Sequence, residues 1–68
     1  MNSMTIFSYK KDTGIKFLKL KEVAMIRTFE QHVEFVFENG TSELVSWGIN
    51  HSALINLFSN LQMTDFPN

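Results

Sequence analysis

Sixty-eight residues make at most one domain, near the lower limit of what folds alone, and such a chain hides only ~60% of the surface its unfolded form exposes. Cysteine is absent, which excludes disulfides, thiol catalysis and every Cys-based zinc site, and two histidines, His32 and His51, are too few for an all-His metal site. With a net charge of −1 and no cofactor motif, good packing or self-association is left to support the fold.

Apolar residues reach 44%, with seven Phe, one Trp and one Tyr, which is globular composition and not disorder. The start MNSMTIFSYKK lacks a basic region followed by an apolar run, and no stretch approaches the ~18 apolar residues of a membrane span. The expected compartment is the cytoplasm, with no membrane partner. Asn39-Gly40-Thr41 and Asn50-His51-Ser52 fit the glycosylation pattern but carry no meaning without secretion.

The charges are sorted along the chain. Lys10, Lys11, Lys16, Lys19, Lys21 and Arg27 all precede residue 30, with only Asp12 and Glu22 against them. From residue 30 onward Glu30, Glu34, Glu38, Glu43 and Asp65 stand without a Lys or Arg. Such asymmetry marks either a binding face or strands that attract one another.

Residues 5–10 (TIFSYK) read as a strand with Phe7 and Tyr9 on one side and Ile6 on the other. A turn at Asp12-Thr13-Gly14, with Gly14 free to take positive φ, leads into a strand over 15–20. Its apolar positions Ile15, Phe17, Leu18 and Leu20 slip by one, which implies a bulge near Phe17–Leu18 or two partly covered faces. A third strand over 24–29 and a brief turn at Glu30-Gln31 precede residues 32–38 (HVEFVFE), where Val33, Phe35 and Phe37 alternate with His32, Glu34 and Glu38.

Asn39-Gly40 signals a two-residue type I′ hairpin into a strand over 41–47. That register places Phe35 opposite Leu44, Glu34 opposite Val45, and His32 opposite Trp47. One face then carries Val33, Phe35, Phe37 and Leu44; the other carries His32, Val36, Val45 and Trp47. Asn50 suits a helix N-cap, and Ile49 and Leu54 have the spacing of a hydrophobic staple. Leu54, Leu57, Phe58 and Leu61 form one apolar stripe on a helix over 51–62, with a tail at 63–68. The expected fold is α+β: a four- or five-stranded antiparallel β-meander with one C-terminal helix on one face. Its core is Val33, Phe35, Phe37, Leu44, Leu54, Leu57, Phe58 and Leu61, joined by Ile26.

Little points to catalysis: His32 and Glu34 share a strand face as a general base and its partner would, but His32 reads better as an edge contact with Trp47. There is no Gly-rich phosphate loop, no Gly-x-Ser-x-Gly elbow and no His-Glu-x-x-His, and His51 at the helix start reads as structural. The helix carries no formal charge from His51 to Gln62, whereas solvent-facing helices normally display Lys and Glu; protein interfaces are depleted in both. Together with Trp47, Val45, Val36 and His32 on the second sheet face, Ile55, Asn56 and Ser59 on that helix predict a non-enzymatic protein-binding module. It would be self-associating as a homodimer or higher, a small regulator or inhibitor without cofactor or metal. The Asn-, Ser-, Ile-, Lys- and Phe-rich composition suits an AT-rich bacterial or phage genome. The alternative is a nucleic-acid-binding protein that uses Lys10, Lys11, Lys16 and Lys19, with Lys21, and stacks bases on Tyr9 and nearby Phe17. A pI near 6.0 weighs against it.

Overall fold

The computed structural model describes residues 5–61. Ile6–Lys11 (β1) and Gly14–Lys19 (β2) pair antiparallel, and Lys11 opposes Gly14, so Asp12 and Thr13 form a two-residue loop. Asp12 takes the positive φ, at 55°, while Gly14 already belongs to β2. The turn expected of Gly14 is thus made by an aspartate, whose short polar side chain tolerates the left-handed region. Pairing continues unbroken to Ile6 opposite Lys19, so the expected bulge at Phe17–Leu18 is absent. The slipped period has another cause: β2 carries apolar residues on both sides. Leu18 is buried beside Phe7 and Tyr9, whereas Ile15 and Phe17 lie on the outer face, 64% and 68% exposed.

A 3-10 turn, Leu20–Glu22, ends the first sheet. Val23–Phe29 (β3), His32–Phe37 (β4) and Ser42–Ser46 (β5) then make a second sheet in the order β3-β4-β5. The expected single meander is corrected to a two-stranded and a three-stranded antiparallel sheet. The 3-10 turn occupies the residues a β2–β3 hairpin would need. Two backbone bonds tie its ends: Leu20 N–H donates to Thr5 C=O at 3.0 Å, and Glu38 N–H to Glu22 C=O at 2.9 Å. Val23 faces Phe37 but Met25 faces Val36, so Ala24 is the extra residue of a bulge that re-aims the start of β3.

The β4–β5 connection departs from the expected two-residue turn. Gly40 N–H donates to Phe37 C=O at 2.9 Å and Phe37 N–H to Thr41 C=O at 2.8 Å, closing a loop of Glu38, Asn39 and Gly40. Only Gly40 has positive φ, 94°, as in a type I turn followed by a left-handed residue. The Asn39 carboxamide oxygen accepts from the Thr41 N–H at 2.9 Å and hydroxyl at 2.7 Å, bracing the return. The register moves by one residue: Phe35 faces Glu43, Glu34 faces Leu44, Val33 faces Val45 and His32 faces Ser46. A one-residue shift exchanges the two faces of a strand. Leu44, expected in the core, is exposed, and Val45, expected on the open face, is buried.

His51–Asn60 (α1) covers the inner face. Leu54, Leu57 and Phe58 are buried in one cluster with Val33, Phe35 and Val45 and with Phe7, Tyr9 and Leu18 of the first sheet. Phe7 joins the two sheets: its ring centroid lies 5.6 Å from that of Phe35 and 5.7 Å from that of Tyr9. Ile26 and Phe37 pack at the cluster's margin as partly buried residues. Leu61 is largely exposed and so falls outside the expected stripe, and exposed Ile49 makes no staple over buried Leu54. The helix ends at Asn60 with Leu61 as its C-cap, short of the expected end near Gln62, and Gln62 with the tail 63–68 lies outside the described residues.

The register makes neighbouring residues energetically unequal. Val45→Ala is expected to cost about 2 kcal/mol in urea unfolding, and Leu44→Ala under about 1 kcal/mol. The reverse order would restore the two-residue turn.

Candidate interaction surfaces

The helix protects one face of the three-stranded sheet. On the other face the register assembles Met25, Arg27 and Phe29 of β3, His32, Glu34 and Val36 of β4, and Ser42, Leu44 and Ser46 of β5. Met25, Phe29 and Leu44 are all more than two-fifths exposed, and Val36 is half-buried between Met25 and Ser42. Arg27 crosses the face to Glu34, with its Nη2 and Nε donating to one carboxylate oxygen at 2.7 and 3.0 Å. His32 lies near Phe29, ring centroids 6.4 Å apart.

The expected interface residues therefore separate. Val36 and His32 are on the open face as anticipated, but Val45 is buried and Trp47 belongs to the inner side. The Trp47 indole stacks on Phe58 at 6.1 Å and meets the His51 ring edge-on at 5.1 Å. The Trp47 backbone N–H donates to Gln31 C=O at 2.8 Å, so Trp47 is opposite Gln31 and not His32. Asn56 and Ser59 are exposed on α1 and Ile55 is half-buried. Asn60 Nδ2 donates to Asn56 C=O at 2.8 Å, using one of these polar groups within the helix. Met25, Phe29 and Leu44 replace Val45 and Trp47 as exposed apolar groups on that face. Alternation with Ile26 puts Met25 and Phe29 on that face, whereas the placing of Leu44 depends on the β4–β5 register.

A second open face lies on the β1–β2 hairpin. The pairs Ile6–Lys19, Ser8–Phe17 and Lys10–Ile15 point away from Phe7, Tyr9 and Leu18. Ile6, Ile15 and Phe17 are exposed there between two lysines. This placement divides the expected nucleic-acid set. Lys10 and Lys19 share the outer face, whereas Tyr9, Lys11 and Lys16 face the other way, and Tyr9 is too deeply buried to stack a base.

Tyr9 and Lys11 instead converge on Glu43, the residue opposite Phe35. The Tyr9 hydroxyl donates to Glu43 Oε2 at 2.7 Å and Lys11 Nζ to the same oxygen at 2.9 Å. Burial alone would raise the Glu43 pKa. The hydrogen bonds from Lys11 and Tyr9, with the charges of Lys11 and Lys16, outweigh burial and hold the carboxyl below its usual range. Burial and the same carboxylate push the Tyr9 phenol well above its ordinary value. Arg27–Glu34 and Lys11–Glu43 are thus cross-strand pairs of the kind the sorted charges anticipate.

Asn50 is the one buried polar residue among those described. It sits at the helix N-cap position without making a side-chain cap bond. Its Oδ1 accepts from Lys10 N–H at 2.7 Å, while Nδ2 donates to Lys10 C=O at 3.0 Å and Ser46 C=O at 3.1 Å. The carboxamide acts as one peptide group of an additional strand between the free edges of β1 and β5. No group of three or more metal-ligating side chains is found among the described residues, nor any helix long and apolar enough to cross a membrane.

Replacing the carboxamide tests this bridge. Asn50→Ala is expected to lower stability by about 2–3 kcal/mol in urea unfolding, because it strands backbone groups of Lys10 and Ser46. A loss below about 0.5 kcal/mol, the scale of ordinary surface substitutions, would show that the bridge is dispensable.

The Glu43 cluster sets a pH window. A carboxyl depressed in the folded state contributes stability that is present above its unfolded pKa, about 4.3 for Glu, and lost as pH falls through the folded value. Wild type is expected to lose stability on acidification below that point, with a shallower loss in Glu43→Gln. Equal slopes in thermal melts between pH 5 and pH 2 would remove Glu43 from the acid response. No protein-family model, curated protein or solved structure matches this chain.

Proposed function

We propose that this chain is a small non-enzymatic protein-binding module, self-associating, that uses the outer face of its three-stranded sheet. The observation that carries this reading is one-sided coverage. The helix buries Val33, Phe35 and Val45, while Met25, Phe29 and Leu44 on the opposite side are left to solvent. A domain that hides little of its surface gains from covering such a face. Serines at both ends of β5, Ser42 and Ser46, flank Leu44 with small side chains and leave room for an incoming group.

The charge-neutral outer side of α1, with Asn56 and Ser59, extends the uncharged surface. A regulator or inhibitor acting by protein contact in the cytoplasm fits these features. Nucleic acid is the weaker reading, since Tyr9 and Lys11 are held by Glu43.

Leu44→Lys tests the surface without touching the core, and the new ammonium can lie beside Glu34. Light scattering over a concentration series is expected to give a wild-type mass above the single-chain 7.9 kDa and a variant at that mass. A wild type that stays at one chain throughout would sink self-association; identical behaviour of wild type and variant would sink this face.

A further inference from the structure

The chain exposes two apolar faces, and their charges differ. The hairpin's outer face sets Ile6, Ile15 and Phe17 between Lys10 and Lys19 and contains no acid; its turn adds only Asp12. On the sheet's outer face Arg27 is already bonded to Glu34, and the turns at its two ends carry exposed Glu30 and Glu38. One face is therefore apolar with a positive margin, the other apolar with a negative margin. Two copies of the sheet face would bring acidic rims together, and two copies of the hairpin face would bring lysines together. Opposite faces meet without either conflict. Like charges across a contact are costly, and complementary margins select the partner surface.

We propose that the occupant of the open sheet face is the β1–β2 hairpin of a second copy of this chain, a head-to-tail contact that rests on the self-associating reading above. Phe17, the most exposed large apolar side chain described, is the anchor, and it meets the Met25–Val36–Leu44 surface. Lys10 and Lys19 reach toward the turns bearing Glu30 and Glu38. Each pair leaves one hairpin face and one sheet face unused, so the contact propagates into a ring or a filament.

Two variants distinguish this contact from a symmetric dimer. Leu44→Lys disables the sheet face and Phe17→Glu the hairpin face. Each variant alone is expected to run as a single chain in light scattering, where the wild type is larger. Mixed in equal amounts they are expected to form a complex of two chains and no more, because one intact hairpin face then meets one intact sheet face.

If Phe17→Glu assembles like wild type while Leu44→Lys does not, the sheet face binds something other than the hairpin and this proposal alone fails. A mixture that stays at single-chain mass overturns it too. A wild type at single-chain mass overturns both this contact and self-association. Circular dichroism melts establish that each variant is folded, and Ile15→Glu and Met25→Lys serve as the second member of each class.

Discussion

Phe37 and Thr41 close the β4–β5 hairpin around Glu38, Asn39 and Gly40, and the facing of every residue in β5 follows from that closure. Two local devices hold it. Gly40 accepts a φ of 94° that side-chain-bearing residues seldom adopt, and the Asn39 oxygen ties down Thr41. The consequence is large because the side-chain period of a strand is two. With this closure Val45 completes a floor with Val33 and Phe35 for Leu54, Leu57 and Phe58, and Glu43 reaches Tyr9 and Lys11. Leu44 is thereby placed among Met25, Val36 and Glu34 on the uncovered side. Core, ion pair and open face share one cause.

A second constraint joins the halves. β1 and β5 are the strand edges that approach one another, yet they do not form a continuous ladder. Asn50 supplies the pairing there by offering both a donor and an acceptor to Lys10 and a further donor hydrogen to Ser46. A residue with only a donor or only an acceptor could not satisfy both groups of Lys10. Below this bridge Phe7 carries the apolar contact to Phe35, and the Tyr9–Glu43–Lys11 cluster closes the flank. The two sheets thus act on one core although no ladder connects them.

The parts legible in the sequence are those decided by local pattern. Alternation in residues 32–37 marked β4 and its buried side, and the Leu54–Leu57–Phe58 spacing marked the helix and its inner stripe. Turn positions were also visible, but turn geometry was not. Asp12 and Glu30 hold positive φ with no glycine in either loop, because the strand pairings Lys11–Gly14 and Phe29–His32 impose it. For Glu30 the cost is about 1–2 kcal/mol, which the ladders on both sides must outweigh. Asn39-Gly40 satisfied the sequence rule for a two-residue turn as well as it satisfies the three-residue loop, and that single ambiguity exchanged Leu44 with Val45. Asn50 reads locally as a helix-start residue, but its partner Lys10 is 40 positions away and leaves no local trace.

The exposed apolar residues of β2 follow the same logic at the level of function. Ile15 and Phe17 alternate with Lys16 and Leu18, so a strand that buries Leu18 must present Phe17 outward. A chain selected only to remain monomeric has a simple remedy, a polar residue at either position, since neither contributes to the buried cluster. In the proposed head-to-tail contact, the phenylalanine and isoleucine there are the groups the second copy covers, while the lysines beside them keep the edge soluble. The sheet face shows the same combination with the opposite margin. In the proposed contact the two faces cover one another, and the sorted charges of this sequence gain a physical use beyond the two cross-strand pairs.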